Sequence, residues 1–410
     1  MKIALVHDYL YTYGGAERVL EAFHEIWPTA PVYTAWVDWQ WLKKEKPEWL
    51  NWQIIPSWFD KIPFKKQLCS PLRFLTPKIW SSFNLANFDV VISSSAWYMS
   101  KGVSLSKIKD QRSKIKDAEQ NLKIRNSKTI NNQLSTINNS PLHICYCHTP
   151  PRYLYGYETD FDWQRFWLTR MYAYFVNPFM RYYDFKSSQT VDWFICNSLE
   201  VQRRIKKFYR REAEVIYPPV SINSKLQAPN YKQYQNPKPQ TPNYFLMVNR
   251  LVRHKNIDLA IITCKQLKIN LKIVGIGPDK NRLEKIADND PNIEFLGYVD
   301  DKKLANLYQN CQVVLYLASQ EDFGITPVEA MSFGKPVIAL RSGGVKESII
   351  EGKTGLFIKK PEVEELVKSL QAYKLTSLQA KDCLKQAEKF TKERFKKQIK
   401  EFINYHLKNE

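Results

Sequence analysis

Short apolar segments alternate with mostly helical stretches twice along this chain, once on each side of a proline-rich segment. Before Pro218 the apolar segments are KIALVHDY, DVVISSS, LHICYCH and WFICNS. After Asn243 they are YFLMVNR, LKIVGIG, IEFLGYV, VVLYLA and PVIALR. Strands that alternate with helices form parallel sheets. The pattern predicts an α/β protein with two Rossmann-like domains, and ligands of such folds bind at the carboxyl ends of the strands.

The composition along the chain predicts the domain boundaries. Residues 1–217 are expected to form the N-terminal domain and residues 244–388 the C-terminal domain, joined by the proline-rich linker 218–243. Within the first domain, residues 104–140 are polar and contain no aromatic residue, so we expect a mobile insertion without a catalytic role. Residues 389–410 are expected to form a terminal helix.

The charge and the cysteine content limit the classes of function. The formal charge of +20 favours anionic partners such as nucleic acid, acidic lipid or phosphorylated substrates. The basic residues are scattered, and no nucleic-acid-binding motif is present, so we do not expect nucleic acid as a partner. Seven cysteines, an odd and small number, do not indicate a disulfide framework and favour a cytoplasmic location. No apolar run is long enough to span a bilayer, and the N-terminal MKIALVHDYL lacks a signal-peptide pattern.

Two loops offer groups that could bind a phosphate. Gly14 and Gly15 follow the first strand and precede a helix, where glycines allow the backbone to approach an anion. An ordinary glycine turn is the alternative. Arg250 and Lys255 lie between a strand and a helix, so both could reach a diphosphate in the cleft, although a solvated basic turn would look the same.

A third glycine-containing loop, VGIGPDK, indicates a nucleotide only weakly. Gly275 and Gly277 follow a strand, as in dinucleotide-binding folds. Lys280 stands where the last glycine of the full fingerprint belongs, and no acid closes the next strand. NAD is therefore not expected.

The segment SQEDFGITPVEAM contains two acids, Glu321 and Glu329, on either side of a predicted helix start. Thr326 is predicted as the N-cap, with proline at the first helical position and Glu329 completing a capping box. The free N–H groups of Ile325 and Thr326 could then bind a phosphate, and both acids could accept hydrogen bonds from sugar hydroxyls.

His148 ends the strand LHICYCH and precedes Thr149. A histidine at a cleft edge could bind a substrate hydroxyl or a leaving phosphate, or it could be structural. Cys145 and Cys147 precede it, but alternate residues of a strand share one face, and we favour that explanation over a metal site.

Taken together, these loops resemble the retaining glycosyltransferases of family 4, which have the GT-B fold. The strongest element is the E-x7-E motif from Glu321 to Glu329; HDYLYTYGGAERVLEAF, Arg250-x4-Lys255, IVGIGP and SGGVKESIIEGKTGLFI are also similar. CYCHTPPRYLYGYE and MRYYDFKSS most resemble bacterial mannosyltransferase-type enzymes of surface polysaccharide assembly. In contrast to the common family pattern, Asn249 and Asn256 replace glycines beside the arginine and the lysine.

The resemblance implies roles for these residues. Arg250 and Lys255 would hold the donor diphosphate, and Glu321 would bind the transferred sugar with the backbone of Phe323 and Gly324. Glu329 would bind the ribose while also capping its helix. Gly15 would approach the phosphate, His148 would lie beside the sugar, and the terminal helix would cross back to the N-terminal domain. The family needs no metal or other cofactor.

The expected reaction is transfer of a hexose with retention, mannose from GDP-mannose being the first choice, to a lipid-linked saccharide or polysaccharide. The acceptor would bind on the side of the N-terminal domain. A UDP-sugar-dependent member of family 4 is the main alternative, and a sugar-nucleotide epimerase on a similar fold is a weaker one. The segment from Trp39 to Trp80 is dense in tryptophan and lysine, which suits a polyprenyl-linked acceptor and peripheral contact with the anionic inner face of the plasma membrane. An aromatic structural lobe would explain the same composition.

Overall fold

The computed structural model describes residues 1–105, 140–159, 163–220, 244–375 and 378–408. The predicted insertion 104–140 and the predicted linker 218–243 fall almost entirely outside these residues. The described residues form two halves, each built on a sheet in which the paired strands run parallel. The predicted α/β class with two Rossmann-like sheets is therefore confirmed.

In the described residues, the first half contains a sheet of seven strands in the order β3-β2-β1-β4-β5-β6-β7. Its central strands β1, β4 and β5 are buried along their whole length, as expected for parallel strands that helices cover on both faces. The strands are β1 (Ile3–His7), β2 (Val32–Thr34), β3 (Ile54–Pro56), β4 (Val90–Ser95), β5 (Leu142–Cys147), β6 (Trp193–Cys196) and β7 (Glu214–Val215).

The described part of the second half contains a sheet of six strands in the order β10-β9-β8-β11-β12-β13. Strands β11 and β12 are again buried throughout, because neither lies at an edge of the sheet. The strands are β8 (Phe245–Val248), β9 (Leu271–Val274), β10 (Ile293–Gly297), β11 (Val314–Tyr316), β12 (Val337–Leu340) and β13 (Gly355–Ile358).

The helices connect these strands, and several begin at a side-chain cap. Ser198 and Asp300, for example, each accept a hydrogen bond from a backbone N–H of the first turn. None of the helices in the described ranges has the length and apolar character needed to cross a bilayer. The helices are α1 (Gly15–Ile26), α2 (Trp39–Glu45), α3 (Lys65–Leu68), α4 (Thr76–Trp80), α5 (Trp167–Ser188), α6 (Leu199–Tyr209), α7 (Ile257–Leu267), α8 (Lys280–Ala287), α9 (Asp301–Asn310), α10 (Ile325–Ser332), α11 (Val345–Ser348), α12 (Val363–Leu375), α13 (Ala380–Ala387) and α14 (Lys392–Lys408).

The last helix, α14, lies on the first half of the molecule. Phe395 is buried against Phe23 of α1 and Tyr146 of β5, and Lys392 Nζ donates to Glu25 Oε1 at 2.8 Å. Just before α14, Val220 N donates to the carbonyl of Phe390 at 2.9 Å. The two points at which the chain passes between the halves therefore lie side by side.

The strand orders define two switch points, where successive connections leave the sheet in opposite directions. The first lies between β1 and β4, and the second between β8 and β11. Such positions leave a crevice at the carboxyl ends of the strands, where open α/β sheets bind their ligands. The residues that directly follow β1, β4, β8 and β11 are thus the first candidates for a functional site.

Candidate functional site

The loops after β8 and β11 bring three of the predicted residues to the second switch point. Lys255 Nζ donates to the carboxylate of Glu321. Between them, the Asn256 side-chain amide bonds to the carbonyl of Leu317 at 2.8 Å and so ties one loop to the other. Asn256 has a φ of 49°, the left-handed conformation that asparagine tolerates better than most residues. This explains how asparagine can stand where the family often has glycine.

Arg250 occupies the same switch point but faces the opposite half of the molecule. It is exposed and follows β8 by two residues. Burial raises the pKa of Tyr11, and the charge of Arg250 partly opposes this rise. Since Tyr11 belongs to the loop after β1, the Arg250 guanidinium lies where an anion bound between the halves would meet it.

Glu321 is held as a carboxylate despite its burial. Burial by itself would raise its pKa, but the charges of Lys255 and Arg152, together with the hydrogen bond from Lys255, lower its pKa from 4.5 to about 2. A permanently ionised acid accepts hydrogen bonds and does not donate them. Glu321 can therefore accept hydrogen bonds from sugar hydroxyls. It cannot protonate a leaving group near neutral pH.

The start of α10 differs from the prediction. Thr326 was predicted as the N-cap, but the helix begins at Ile325, and Gly324 occupies the cap position with a φ of 84° and no capping side chain. Glycine adopts this left-handed conformation without a steric penalty, so the chain turns into the helix before Thr326 is reached. Thr326 Oγ1 instead donates to the carbonyl of Val248 at 3.3 Å. The N–H groups of Ile325 and Thr326 still belong to the first turn and have no acceptor within the helix.

The predicted capping role of Glu329 is also wrong. Because α10 begins at Ile325, Glu329 lies more than one turn inside the helix, too far from the first N–H groups to cap them. Its carboxylate accepts a hydrogen bond from Arg18 Nη1 of α1, and a second one from the Tyr308 hydroxyl at 3.1 Å. Glu329 therefore connects the two halves of the molecule across the cleft.

The glycine pair after β1 lies opposite the start of α10. Gly14 caps α1, and its N–H donates to Glu17 Oε2 at 2.9 Å. A Cβ atom on Gly15 would lie 3.0 Å from the Cδ1 atom of Ile325. The N-termini of α1 and α10 thus meet across the cleft, and each carries the partial positive charge of its helix dipole. Two such helix ends beside Arg250 and Lys255 form a surface that suits a dianion.

Gly275 and Gly277 pack against the loop that carries Arg250. A Cβ atom on Gly275, whose φ is 134°, would lie 1.8 Å from the carbonyl oxygen of Asn249, and one on Gly277 would lie 2.3 Å from that of Leu251. Backbone hydrogen bonds, including Leu251 N to the carbonyl of Ile276 at 3.0 Å, hold the two loops together. This packing accounts for both glycines and fixes the position from which Arg250 projects.

His148 belongs to a buried hydrogen-bonded chain at the first switch point. Its Nε2 lies 2.8 Å from Ser94 Oγ, which in turn lies 3.0 Å from His7 Nδ1. His7 Nε2 lies 3.7 Å from Glu17, the acid that caps α1. Burial and the neighbouring His7 lower the pKa of His148 from 6.5 to about 3. His148 is therefore a neutral, oriented group at the edge of the cleft.

A second set of contacts joins the halves beside Glu321, and sequence reasoning missed it. Arg152, four residues after His148, donates to the carbonyl of Gln320 at 2.8 Å and pairs with Asp322 at 2.9 Å. Arg204, which is buried, pairs with the same Asp322. Ser198 Oγ donates to the carbonyl of Asp322 at 2.5 Å. The loop that carries Glu321 is thus fixed by side chains of the N-terminal half.

Glu347 adds a contact of an unusual kind between the halves. Its carboxylate accepts from the backbone N–H groups of Leu199 at 2.8 Å and Glu200 at 3.2 Å, the first residues of α6. An acid of the second half therefore caps a helix of the first, where a negative charge is favourable. No short-range pattern in the sequence could have indicated this contact, because the partners are 148 residues apart.

Parts of the chain are similar to known glycosyltransferases. Residues 231–390 match the family model described as glycosyl transferases group 1. Over 225 residues the chain is 31% identical to the α-1,3/1,6-mannosyltransferase ALG2 of Mus musculus, which covers 48% of this chain and 54% of that protein. It is also 28% identical over 188 residues to an uncharacterized glycosyltransferase of Methanocaldococcus jannaschii, covering 45% of this chain and 50% of that protein. The chain thus spans about half the length of these curated relatives.

The fold matches along the whole chain. The crystal structure of Anabaena Alr3699/HepE in complex with UDP superposes with a TM-score of 0.65 and 18% identity, covering 99% of this chain and all of that one. Residues 231–390 are thus similar to the group 1 glycosyl transferases, and the chain has a GT-B fold. The predicted GT-B fold is confirmed, and the match over residues 231–390 supports the predicted glycosyltransferase family.

The family match includes some of the predicted site residues and leaves others out. It covers the segment that contains Arg250, Lys255, Glu321 and Glu329, as well as Gly275 and Gly277. Gly14, Gly15 and His148 lie outside it, in the N-terminal domain of the GT-B fold. For these three residues, the support comes from their position at the first switch point alone.

The side chain of Phe323 packs in the aromatic core beside the site. Its side chain is buried, with its ring centroid 5.5 Å from those of Tyr217 and Phe390. Only its backbone is therefore placed to take part in a site, which agrees with the role that the family resemblance implies.

The tryptophan-rich segment from Trp39 to Trp80 is largely structural. Trp49 and Trp80 are fully buried, and Trp49 stacks on Trp52 with ring centroids 4.4 Å apart. Trp58, which is 40% exposed, is the exception among the tryptophans of the segment. The alternative of an aromatic structural lobe thus accounts for most tryptophans of the segment, while several of its lysines are exposed.

Proposed function

We propose that this protein transfers a hexose from a nucleoside diphosphate sugar to a saccharide acceptor, with retention of configuration and without a metal. The observation that carries the proposal is the arrangement at the second switch point. There Arg250, Lys255 and the start of α10 surround the space opposite Gly15, beside the ionised Glu321. A sugar nucleotide combines a dianionic diphosphate with hydroxyl groups at both ends, so it matches both features of this site.

The charges suit a leaving diphosphate. When the bond between the anomeric carbon and the diphosphate oxygen breaks, negative charge develops on that oxygen, and Arg250, Lys255 and the helix N-termini would stabilise it. The acceptor oxygen forms the new bond on the same face of the sugar, and its proton passes to the leaving phosphate oxygen. Neither Glu321 nor His148 supplies that proton, because Glu321 is ionised and His148 is neutral near pH 7.

The acids would bind the two sugars of the donor. Glu321 would accept hydrogen bonds from hydroxyls of the transferred hexose. Glu329 would accept hydrogen bonds from the ribose, sharing its carboxylate with Arg18 and Tyr308. His148, oriented by Ser94, would contact the hexose from the N-terminal domain.

The donor we favour is GDP-mannose. The relatives named α-1,3/1,6-mannosyltransferase ALG2 support mannose. The structural neighbour solved in complex with UDP supports the alternative, a UDP-sugar. We propose a lipid-linked saccharide or polysaccharide as the acceptor, and a cytoplasmic site of action with peripheral contact at the inner face of the plasma membrane.

The donor site is tested by titration calorimetry of GDP and of UDP in EDTA. We expect one nucleotide to bind, and Arg250→Ala to weaken it by about 10- to 100-fold, the loss of a charge-assisted hydrogen bond. Arg253→Ala is the matched control, because it removes an exposed arginine from the same loop, and it should leave the affinity unchanged. Equal affinity of wild type and Arg250→Ala would contradict the assignment.

The reaction class is tested by mass spectrometry of reactions with and without an acceptor. Release of nucleoside diphosphate that depends on a saccharide acceptor supports glycosyl transfer. Conversion of the sugar nucleotide without any acceptor would instead support the epimerase alternative.

A further inference from the structure

The outer face of helix α5 carries a continuous row of exposed aromatic side chains. Tyr174 and Phe175 are 76% and 70% exposed, so most of each side chain is in contact with solvent. Scattered apolar side chains on a protein surface are ordinary, whereas a contiguous apolar patch marks an interaction site. The row, called here the α5 stripe, consists of Trp167, Met171, Tyr174, Phe175, Phe179 and Tyr182.

The spacing places the α5 stripe on one face of the helix. Successive members are three or four residues apart, or adjacent, which is the spacing of neighbours along a helix surface. From Trp167 to Tyr182 the stripe extends about 22 Å at 1.5 Å per residue. It is therefore long enough to lie along a flat surface.

The opposite face of α5 anchors the helix to the protein. Ala173, Asn177, Met180 and Asp184 are buried. Asp184 pairs with the buried Lys101 and accepts hydrogen bonds from the hydroxyls of two tyrosines, at 2.7 and 3.2 Å. The helix thus buries its one acid together with small and polar residues, whereas the aromatic side chains of the stripe face outward. Its orientation is fixed, and the stripe cannot turn inward.

The charges on this helix favour an anionic partner. Arg170, Arg181 and Lys186 are exposed on α5, and Arg165 is exposed just before it. The one acid of the helix, Asp184, is buried and paired, so α5 itself exposes no carboxylate beside its cations. Aromatic rings beside arginines and lysines are the combination found on helices that lie in the interface of an anionic bilayer.

The basic surface continues onto the segment 58–78. Arg73 Nη2 donates to Asn177 of α5 at 3.0 Å, and the Tyr172 hydroxyl donates to the carbonyl of Pro71. These contacts fix the segment beside the helix. Its exposed aromatic and basic residues are Trp58, Lys61, Phe64, Lys66, Phe74 and Lys78.

We propose that the α5 stripe is a membrane-docking surface that lies in the headgroup region of an anionic bilayer, with its rings at the boundary of the acyl chains. Tyrosine and tryptophan favour this region because one end of each ring is apolar and the other is polar. A second copy of the chain would be a poorer partner, because a two-fold contact through the stripe would bring the arginines of both helices together, and neither helix exposes an acid to offset them. The proposal rests on the peripheral membrane contact proposed above and assigns it a surface, but it does not depend on the donor chemistry.

Vesicle co-sedimentation of the full chain tests the surface. With vesicles of phosphatidylethanolamine and phosphatidylglycerol we expect binding, which the double variant Phe175→Ser/Phe179→Ser weakens at least about tenfold because buried apolar area is lost. Tyr405→Ser is the matched control, since Tyr405 is a 65% exposed aromatic residue on a helix elsewhere; it should bind as the wild type does. Equal binding of wild type and double variant, or no binding of the wild type, would overturn the proposal. Thermal melting of each variant confirms that it is folded.

Charge and self-association supply two further tests. Arg170→Gln/Arg181→Gln should weaken binding to the anionic vesicles and reduce its dependence on salt, and binding to pure phosphatidylcholine should be weak for all variants. Analytical ultracentrifugation should give the same monomeric mass for the wild type and the Phe175→Ser/Phe179→Ser variant. A wild-type dimer that dissociates in that variant would show that the stripe binds a second copy, and would overturn the proposal.

Discussion

The cleft has two walls, one from each half of the molecule, and they differ in the charge of their polar groups. On the N-terminal wall, His148, Ser94 and His7 form a buried chain whose histidine at the cleft edge is neutral. On the C-terminal wall, Lys255 and Glu321 form an ion pair in which the acid stays charged down to a pH of about 2. The walls face each other across the contact between Gly15 and Ile325.

This difference indicates that the two walls have different roles in binding. Charge that is fixed before the ligand binds costs no reorganisation when a reaction creates new charge. The C-terminal wall therefore supplies the fixed charges that a diphosphate needs. The N-terminal wall supplies neutral hydrogen bonds, which orient a hydroxyl group without competing for the diphosphate.

The largest expected difference between the walls appears when one group is removed from each. Lys255→Met should lower kcat/KM for transfer by about 10³-fold, the range found when one preorganised electrostatic group is lost. His148→Asn should lower it only about tenfold, because a single neutral hydrogen bond is lost. Steady-state kinetics with the donor identified by calorimetry gives both values.

Thermal melting serves as the control for this pair of variants, since Lys255→Met leaves the Glu321 carboxylate without its partner. Activities are therefore compared only between variants that are folded to the same extent as the wild type. If the folded His148→Asn variant were the more damaged of the two, the roles assigned to the two walls would be wrong.

The glycines of the two walls provide the next test. Gly275→Ala should destabilise the protein by at least about 3 kcal/mol, because a Cβ atom would meet the carbonyl of Asn249 at 1.8 Å from a backbone with positive φ. Gly15→Ala should change the free energy of unfolding by less than about 1 kcal/mol, since alanine favours a helix and the nearest atom is the end of the flexible Ile325 side chain. Urea denaturation measures both; a Gly275→Ala variant of wild-type stability would contradict the packing account.

The pH dependence of stability distinguishes the walls as well. The pKa of His148 in the folded protein, about 3, lies below its usual 6.5, so the unfolded chain binds more protons between these values. The stability from neutral His148 is complete above about pH 6.5 and is lost as the pH falls towards 3. The advantage of wild type over His148→Asn should therefore shrink by about 1.4 kcal/mol per pH unit between pH 6 and 4.

Glu321 gives a matched control for this measurement. Its pKa is lowered from 4.5 to about 2, so its contribution is complete above pH 4.5 and is lost only below it. Wild type and Glu321→Gln should thus follow parallel curves from pH 7 to 5 and converge only in stronger acid. Parallel curves for His148→Asn over pH 6 to 4 would show that His148 is not buried in its neutral form.

The fold and the charged wall could be predicted from the sequence because their signals are local. The alternation of strands and helices predicts both sheets, and Arg250, Lys255 and Glu321 each lie in a loop that follows a strand. The predicted cap at Thr326 failed because it rested on residue preference, while the backbone conformation of Gly324 decides where the helix begins.

The contacts between the halves could not be predicted in the same way. Arg152 and Arg204 meet Asp322, and Glu347 meets the start of α6, over separations of more than a hundred residues. No periodicity connects such partners. The aromatic residues of the α5 stripe occur in the segment WLTRMYAYFVNPFMRYYDF, but only the structure shows that this face of the helix points outward.

The smallest expected effect concerns the pair that joins the walls, Arg18 and Glu329. Their ion pair is partly exposed, at 22% and 13% of the side chains, so its coupling should be only about 1 kcal/mol. A double-mutant cycle with Arg18→Met and Glu329→Gln measures it through urea denaturation. The same variants should affect nucleotide binding in different ways, since Glu329→Gln weakens a proposed ribose contact and Arg18→Met releases the carboxylate for it. Arg18→Met should therefore keep or raise the affinity for the nucleotide, and equal losses in both variants would show that closure of the walls matters more to binding than the free carboxylate does.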